Sequence, residues 1–219
     1  MKKLLIFDLD GTLIDSKLDL AHAVNATREH LHMPPLDHEL IATYVGHGAP
    51  VLIRRVLGPS ASEAEVETAL KYFIAWYTDH KLDNTCLYPG VGEGLRELDQ
   101  AGVQMAVLTN KPVGASRGIL DGLGVSGLFF RVYGGNSFDQ KKPHPIGAET
   151  IMAEAAIGPE DTAMVGDSSV DVQTARNAGI SAYGVTWGFQ PETFGDAPPD
   201  ATFANMHDLA RFVLNGRES

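Results

Sequence analysis

At 219 residues, 44% of them hydrophobic and 21% charged, the chain is long enough to bury a sizeable core, and its composition excludes an intrinsically disordered protein. A formal net charge of −11, with no cluster of Lys and Arg, excludes a phosphate-tracking nucleic-acid surface. The single cysteine, Cys86, excludes an intrachain disulfide and a cysteine-rich zinc site, and no run approaches the ~20 apolar residues that cross a bilayer, so a cytoplasmic protein with no membrane or nucleic-acid partner is expected.

Taken in chain order, Lys2 and Lys3 lead into the apolar run of residues 4–7, which meets Asp8 too soon to build the roughly 7–15-residue apolar stretch of a signal peptide. The run reads as a strand over 4–8. Asp15 or Ser16 then caps a helix with Leu20, Val24, Thr27 and Leu31 at helical spacing. Further helices are expected near 37–45, 49–57 and 62–80, the last with Val66, Leu70, Phe73, Ile74 and Tyr77 on one face. Strands follow at 103–109, 130–135, 162–167 and 181–186, then a loop at 195–200 and a short helix at 207–214. Apolar runs that alternate with helices indicate strands buried on both faces of a parallel sheet, an α/β fold. A parallel crossover needs only one helix, so the helices between the first two strands form an inserted domain over 16–86, with 1–15 and 87–219 as the core.

Open parallel sheets bind ligands beyond the carboxyl ends of their strands. Those ends are polar here: Asp8 after the first strand, Thr109 and Asn110 after the second, Gly166 and Asp167 after the fourth. By itself "DLDGT" is also a turn sequence. It is not an EF-hand loop, because Leu9 follows the first Asp, no third acid precedes the glycine and no Glu closes the loop. In "VGDSSVDV" Asp171 stands four residues beyond Asp167, where Ser168 or Ser169 can cap a helix whose first turn favours an acid. Asp8, Asp10, Asp167 and Asp171 converging on one sheet edge would repel unless a cation joined them, and oxygen ligands suit Mg²⁺. In "KKPHP" prolines 143 and 145 fix the backbone before a helix, so that a lysine just ahead can be aimed into the crevice. His144 has no second histidine at ligand spacing.

The stretches "DLDGTL" (8–13), "LTN" (108–110), "KPHP" (142–145) and "GDSSVD" (166–171), in this order, resemble the four motifs of the haloacid dehalogenase superfamily of phosphatases. The resemblance implies a Rossmann-like parallel-sheet core with an inserted helical cap. It also implies roles: Asp8 as nucleophile, Asp10 as general acid/base, Thr109 with its neighbour Asn110 at the phosphoryl oxygens, and Lys142 as the neutralising cation, with Lys141 a nearby alternative. Mg²⁺ would be held by Asp8, by the backbone carbonyl of Asp10, by Asp167 and, directly or in support, by Asp171. A carboxylate that displaces an alcohol from phosphorus splits a difficult hydrolysis into two steps, through an aspartyl-phosphate.

Within the superfamily, "YVGHGAPVLIRRVLG" (44–58) is similar to the cap loop and helix of phosphoglycolate phosphatases, with His47 where a small polar residue such as Asn is expected. This implies 2-phosphoglycolate as substrate and Gly46, His47, Arg54 and Arg55 as its contacts, with hinges near 15–18 and 81–87. Pyrophosphate and sugar phosphates are alternative substrates. A dehalogenase needs no acid at Asp10, and a phosphonate hydrolase would want a Schiff-base lysine, for which Lys71 and Lys81 are candidates. A non-catalytic phosphate-binding scaffold would lack one of the key groups, and none of Asp8, Asp10, Thr109, Lys142 or Asp167 is missing. The protein is expected to act on a small phosphorylated metabolite as a monomer or homodimer.

Overall fold

The computed structural model describes residues 2–195 and 197–215. Strand β1 (Leu4–Phe7) is followed by a two-residue strand β2 (Ile14–Asp15) and by four helices: α1 (Lys17–His30), α2 (His38–Ala42), α3 (Ala49–Leu57) and α4 (Glu63–His80). The chain returns through β3 (Cys86–Leu87) and helix α5 (Val91–Gln100), then alternates strand and helix. These elements are β4 (Gln104–Leu108), α6 (Val113–Gly122), β5 (Arg131–Tyr133), α7 (Ile146–Ala155), β6 (Thr162–Gly166), α8 (Ser169–Ala178), β7 (Ser181–Val185), β8 (Ala201–Phe203) and α9 (Met206–Asn215).

Six strands form one parallel sheet in the order β5-β4-β1-β6-β7-β8. Strand β1 lies inside it, and its side chains alternate between two cores: Leu5 and Phe7 pack with α5, α6 and α9, and Leu4 and Ile6 with α7 and α8. Burial on both faces is why these strands read as unbroken apolar runs rather than as alternating ones. Each of the five strands expected from sequence ends a residue or two earlier than expected, so Asp8, Thr109 and Asp167 stand just beyond β1, β4 and β6. Strand β8 was not expected. Its three residues follow Pro198 and Pro199, too few to give a periodic signal. Asp196, within the loop expected at 195–200, lies outside the described residues. Among the described residues, no helix is long and apolar enough to cross a membrane.

Helices α1 to α4 pack around a third apolar cluster that includes Leu20, Val24, Ile41, Leu52, Ile53, Val56, Phe73 and Tyr77. Helix α4 starts in a capping box, in which Glu65 accepts from the Ser62 backbone and the Ser62 hydroxyl accepts from the Glu65 N–H. Helix α2 is shorter than expected, and after it Gly46 and Gly48 adopt positive φ angles that turn the chain into α3. On α4 the expected face divides: Val66, Phe73 and Tyr77 are buried, whereas Ile74 is 44% exposed and opens onto a cleft.

The two passages between helices and sheet are tied together. Strands β2 and β3 pair antiparallel, Ile14 opposite Leu87 and Asp15 opposite Cys86. Beside them the buried Asp19 carboxylate accepts from the Asn84 and Thr85 N–H groups at 2.8–3.0 Å, from Asn84 Nδ2 at 2.8 Å and from Thr85 Oγ1 at 2.7 Å. Burial opposes the charge, but the hydrogen bonds from Thr85 and Asn84 outweigh it and hold the Asp19 carboxyl below the usual carboxylate range. A depressed pKa stabilises the fold above the unfolded value of about 3.9 and ceases to do so as pH falls through the folded value. Asp19→Asn is therefore expected to cost about 2–3 kcal/mol in urea unfolding at pH 7, with the gap to wild type narrowing below pH ~4. A gap that does not change with pH would show that the carboxylate's charge is not what ties the passages.

Candidate active site

At the carboxyl edge of the sheet, Asp8, Asp167 and Asp171 are all buried and each offers a carboxylate oxygen within 4.8 Å of the others. Lys142 joins them: its Nζ lies 2.9 Å from Asp8 Oδ1 and donates to Asp171 Oδ1 at 2.6 Å. Of the two neighbouring lysines, Lys142 is buried among these acids and Lys141 is exposed. The other oxygens are partly satisfied. Asp167 accepts from Phe189 N at 2.7 Å and Thr12 Oγ1 at 3.2 Å, and Asp171 Oδ2 accepts from Ser168 Oγ at 2.7 Å and Ser168 N at 3.2 Å. Asp8 Oδ1 has Lys142 as its partner.

Glycines make the crowding sterically feasible. A Cβ on Gly166 would stand 2.2 Å from Asp171 Cγ, and one on Gly11, whose φ is +80°, would stand 2.2 Å from Asp167 Oδ2.

Three carboxylates meet one ammonium, and the electrostatics record the imbalance. Burial, with Asp171 adding repulsion against the attraction of Lys142, pushes Asp8 up to about 6. Burial and the repulsion of Asp171 and Asp8 push Asp167 up to about 8. Burial disfavours the charge on Lys142, but Asp171 and Asp8 outweigh it and raise the lysine. An all-oxygen donor set with unbalanced negative charge fits a hard divalent cation, which Asp8, Asp167 and Asp171 could hold.

Asp10 stands apart from this cluster. Its Oδ1 accepts from Ser16 Oγ at 2.5 Å, and both of its oxygens accept from Lys111 Nζ, at 2.9 and 3.0 Å. Thr109 is buried, with its N–H on Tyr133 O and its hydroxyl accepting from Lys111 N at 3.2 Å. Asn110 acts as a strut: it accepts from Lys142 N at 3.0 Å and donates to Lys142 O at 3.1 Å and Gly46 O at 2.9 Å.

Above these groups lies a cleft of about 390 Å³, floored by Asp8, Asp10, Thr109 and Asp167 and walled by Leu20, Leu52, Phe73, Ile74, Tyr77 and Phe189. Of the four cap residues expected at the substrate, Gly46 lines it. Arg54 and Arg55 do not: the apolar face of α3, Leu52, Ile53 and Val56, packs inward and turns both arginines out. There Arg54 pairs with the exposed Glu63, and Arg55 donates to Tyr44 O. His47 is also exposed. Of the two cap lysines considered, Lys71 pairs with Glu67 on the surface, whereas Lys81 borders the cleft and donates to Thr78 O at 2.6 Å. Three site groups had no role in the sequence reading: Lys111, Ser16 beyond its capping position, and Tyr77 beyond the apolar face of α4.

A family model described as haloacid dehalogenase-like hydrolase matches residues 5–185. The chain belongs to the haloacid dehalogenase-like hydrolase family. It is similar to the phosphoglycolate phosphatase of Colwellia psychrerythraea, 41% identical over 215 residues that cover 95% of each chain. It is also similar to that of Vibrio vulnificus, 38% identical over 221 residues that cover 97% of this chain and 96% of the relative. Among solved structures, one described as a predicted phosphoglycolate phosphatase from Haemophilus somnus has a TM-score of 0.91 at 32% identity, covering 96% of this chain and 97% of that one. The acidic cluster of this haloacid dehalogenase-like hydrolase therefore sits in a family of hydrolases and on the fold its relatives share.

Carboxyls raised to about 6 and about 8 stabilise the metal-free fold below the unfolded value of about 3.9, and that contribution is lost as pH rises through the raised values. A divalent cation needs both groups deprotonated, so its stabilisation should grow over the same window. In thermal unfolding with EDTA or excess divalent cation, the metal-induced rise in Tm is expected to be small at pH 5.5 and several degrees at pH 8.5. Asp167→Asn should abolish that rise and increase the metal-free Tm at pH 8.5, by roughly 2–4 °C for each kcal/mol of relieved repulsion. A metal effect that persists in Asp167→Asn would place the cation elsewhere.

Proposed function

We propose that the protein is a Mg²⁺-dependent phosphatase of small phosphomonoesters that works through an aspartyl-phosphate, with 2-phosphoglycolate, named in its relatives' activity, as the first substrate. One observation carries the reading. Two carboxylates two residues apart have separate surroundings: Asp8 paired with Lys142 in the acidic cluster, Asp10 held by Ser16 and Lys111.

In this reading Asp8 attacks phosphorus, its oxygen forming the new bond as the ester oxygen departs, and Asp10 delivers a proton to that leaving oxygen. Water then attacks the acyl-phosphate, Asp10 takes its proton, and Asp8 is regenerated as phosphate leaves. Lys142 and the Thr109 hydroxyl stabilise charge on the phosphoryl oxygens. Asn110 positions Lys142 through its backbone. The cation, when bound by Asp8, Asp167 and Asp171, supplies the positive charge that lets an anionic nucleophile and an anionic ester meet.

Residues 16–86 act as a cap, hinged near 15–18 and 81–87, whose closure excludes water from the acyl-phosphate. Supporting this, Gln190 Nε2 donates to the carbonyls of Ala42, Thr43 and Val45 at 3.0–3.3 Å, and Asn110 to that of Gly46, so the cap loop is bonded to the core. An acidic chain with a single cysteine suits the cytoplasm. A second reading, hydrolysis of a bulkier phosphomonoester, is favoured by the cleft, whose volume of about 390 Å³ falls in the range of sites for larger ligands.

Phosphate release from 2-phosphoglycolate, pyrophosphate, sugar phosphates and an aryl phosphate tests both. Turnover that prefers 2-phosphoglycolate and falls at least about 10³-fold in Asp8→Asn or on chelation is the expected result. Preference for the bulky esters would move the substrate to the second reading. Metal-independent turnover that survives Asp8→Asn would overturn the mechanism.

A further inference from the structure

Lys111 has no part in the mechanism above beyond its contact with Asp10, yet its surroundings are those of a binding group. Its side chain is only 5% exposed, it borders the cleft, and its Nζ stands 4.6 Å from the centre of the Tyr77 ring. An ammonium has three donors, and two are directed at the Asp10 oxygens. The third is turned to the Tyr77 hydroxyl, which is buried beside the ammonium and has no acceptor for its own O–H. A buried polar group without a partner costs on the order of 1–3 kcal/mol, so this O–H, beside an ammonium that borders the cleft, calls for an acceptor.

The position of this pair decides what the acceptor is. Asp10 must touch the ester oxygen to protonate it, so whatever is bonded to Asp10 lies within a few ångströms of the leaving group. Of the nearby cations, Lys142 is committed to Asp8 and Asp171, Arg54 and Arg55 face outward, Lys81 donates to the backbone of its own helix, and Lys141 is exposed beside Gly48.

We infer that Lys111 and Tyr77 form a subsite for a carboxylate carried by the leaving group one carbon from the ester oxygen, and that they set the preference for such esters over neutral ones. The inference rests on the phosphatase reading and deepens it. A carboxylate is an acceptor only, with lone pairs enough for both donors, and it exchanges its hydration for a charge-assisted bond in a water-poor cleft. Tyr77 belongs to α4, so the subsite is completed only when the cap lies over the core.

The test compares kcat/KM for 2-phosphoglycolate with that for ethyl phosphate, which has the same ester oxygen and a methyl in place of the carboxylate. The ratio of the two is measured in wild type, Lys111→Met, Lys111→Arg and Tyr77→Phe. Lys111→Met is expected to lower the ratio about ten- to a hundredfold, Tyr77→Phe about three- to tenfold, and Lys111→Arg to retain most of it. Loosening of Asp10 in Lys111→Met lowers both rates and cancels in the ratio. If Lys111→Met does not fold, Tyr77→Phe carries the same comparison. A ratio within twofold of wild type in the folded variants would overturn the inference and leave Lys111 as a positioning group for Asp10, with the phosphatase reading intact. A wild-type protein that releases phosphate from no ester would overturn the phosphatase reading and this inference with it.

Discussion

The organising constraint of this molecule is the concentration of negative charge at the carboxyl edge of its sheet. Three buried carboxylates share one lysine, an arrangement that a core optimised for stability would not adopt, since like charges in low dielectric raise one another's pKa and destabilise the ionised state. The surroundings are shaped to tolerate it. Central strands with both faces buried provide rigid mounts, the glycines at 11 and 166 vacate the space that the carboxylates fill, and Ser168, Thr12 and the Phe189 N–H satisfy the oxygens that face protein. Asp8 is paired with Lys142, an ammonium it shares with Asp171, so the cluster keeps a surplus of negative charge.

A second constraint follows from placing a helical unit between the first two core strands. The unit has its own apolar cluster, against which Ala115 and Phe189 of the core also pack, and polar contacts orient it on the sheet. Asp19 binds the outgoing passage to the returning one, Asn110 joins Lys142 to the Gly46 carbonyl, and Gln190 holds three carbonyls of the segment after α2. Hydrogen bonds to backbone carbonyls fix orientation but contribute only about 0.5–1.5 kcal/mol each net.

Legibility in the sequence divided along the same line. Asp8, Thr109 and Asp167 were legible where an apolar run stops and a polar residue follows, and Lys142 as the residue ahead of two closely spaced prolines. Lys111 lay in plain view in "LTNKP" but carried no local sign of its role, because its partner, Asp10, is 101 residues away. The arginines of α3 were misplaced for a related reason. The likeness of residues 44–58 to a cap loop and helix implied a substrate contact, but the direction of a helical side chain is fixed by which face packs, and Leu52, Ile53 and Val56 turn Arg54 and Arg55 to the outside. Strand β8, three residues long, has too little sequence to be periodic, and only its pairing with β7 defines it.

The separation of Asp8 from Asp10 shows how one short segment can hold two acids with different chemistry. Placed on the same sheet edge with the same neighbours, they would share one coupled titration. Here the chain leaves β1 at Asp8, and Leu9, fully buried, turns inward between them. The Asp10 carboxylate is thereby directed to Ser16 and Lys111 rather than to the acidic cluster. Asp8 is left against Lys142 and among carboxylates, where a cation is wanted. Asp10 instead meets hydrogen-bond donors, one of them on a residue at the entrance to α1 and the other lying over a tyrosine of α4. Asp10 is thus the carboxylate in contact with the helical unit, through Ser16, and Asp8 the one fixed to the sheet, so a shift of the helices relative to the sheet would alter the surroundings of Asp10 before those of Asp8.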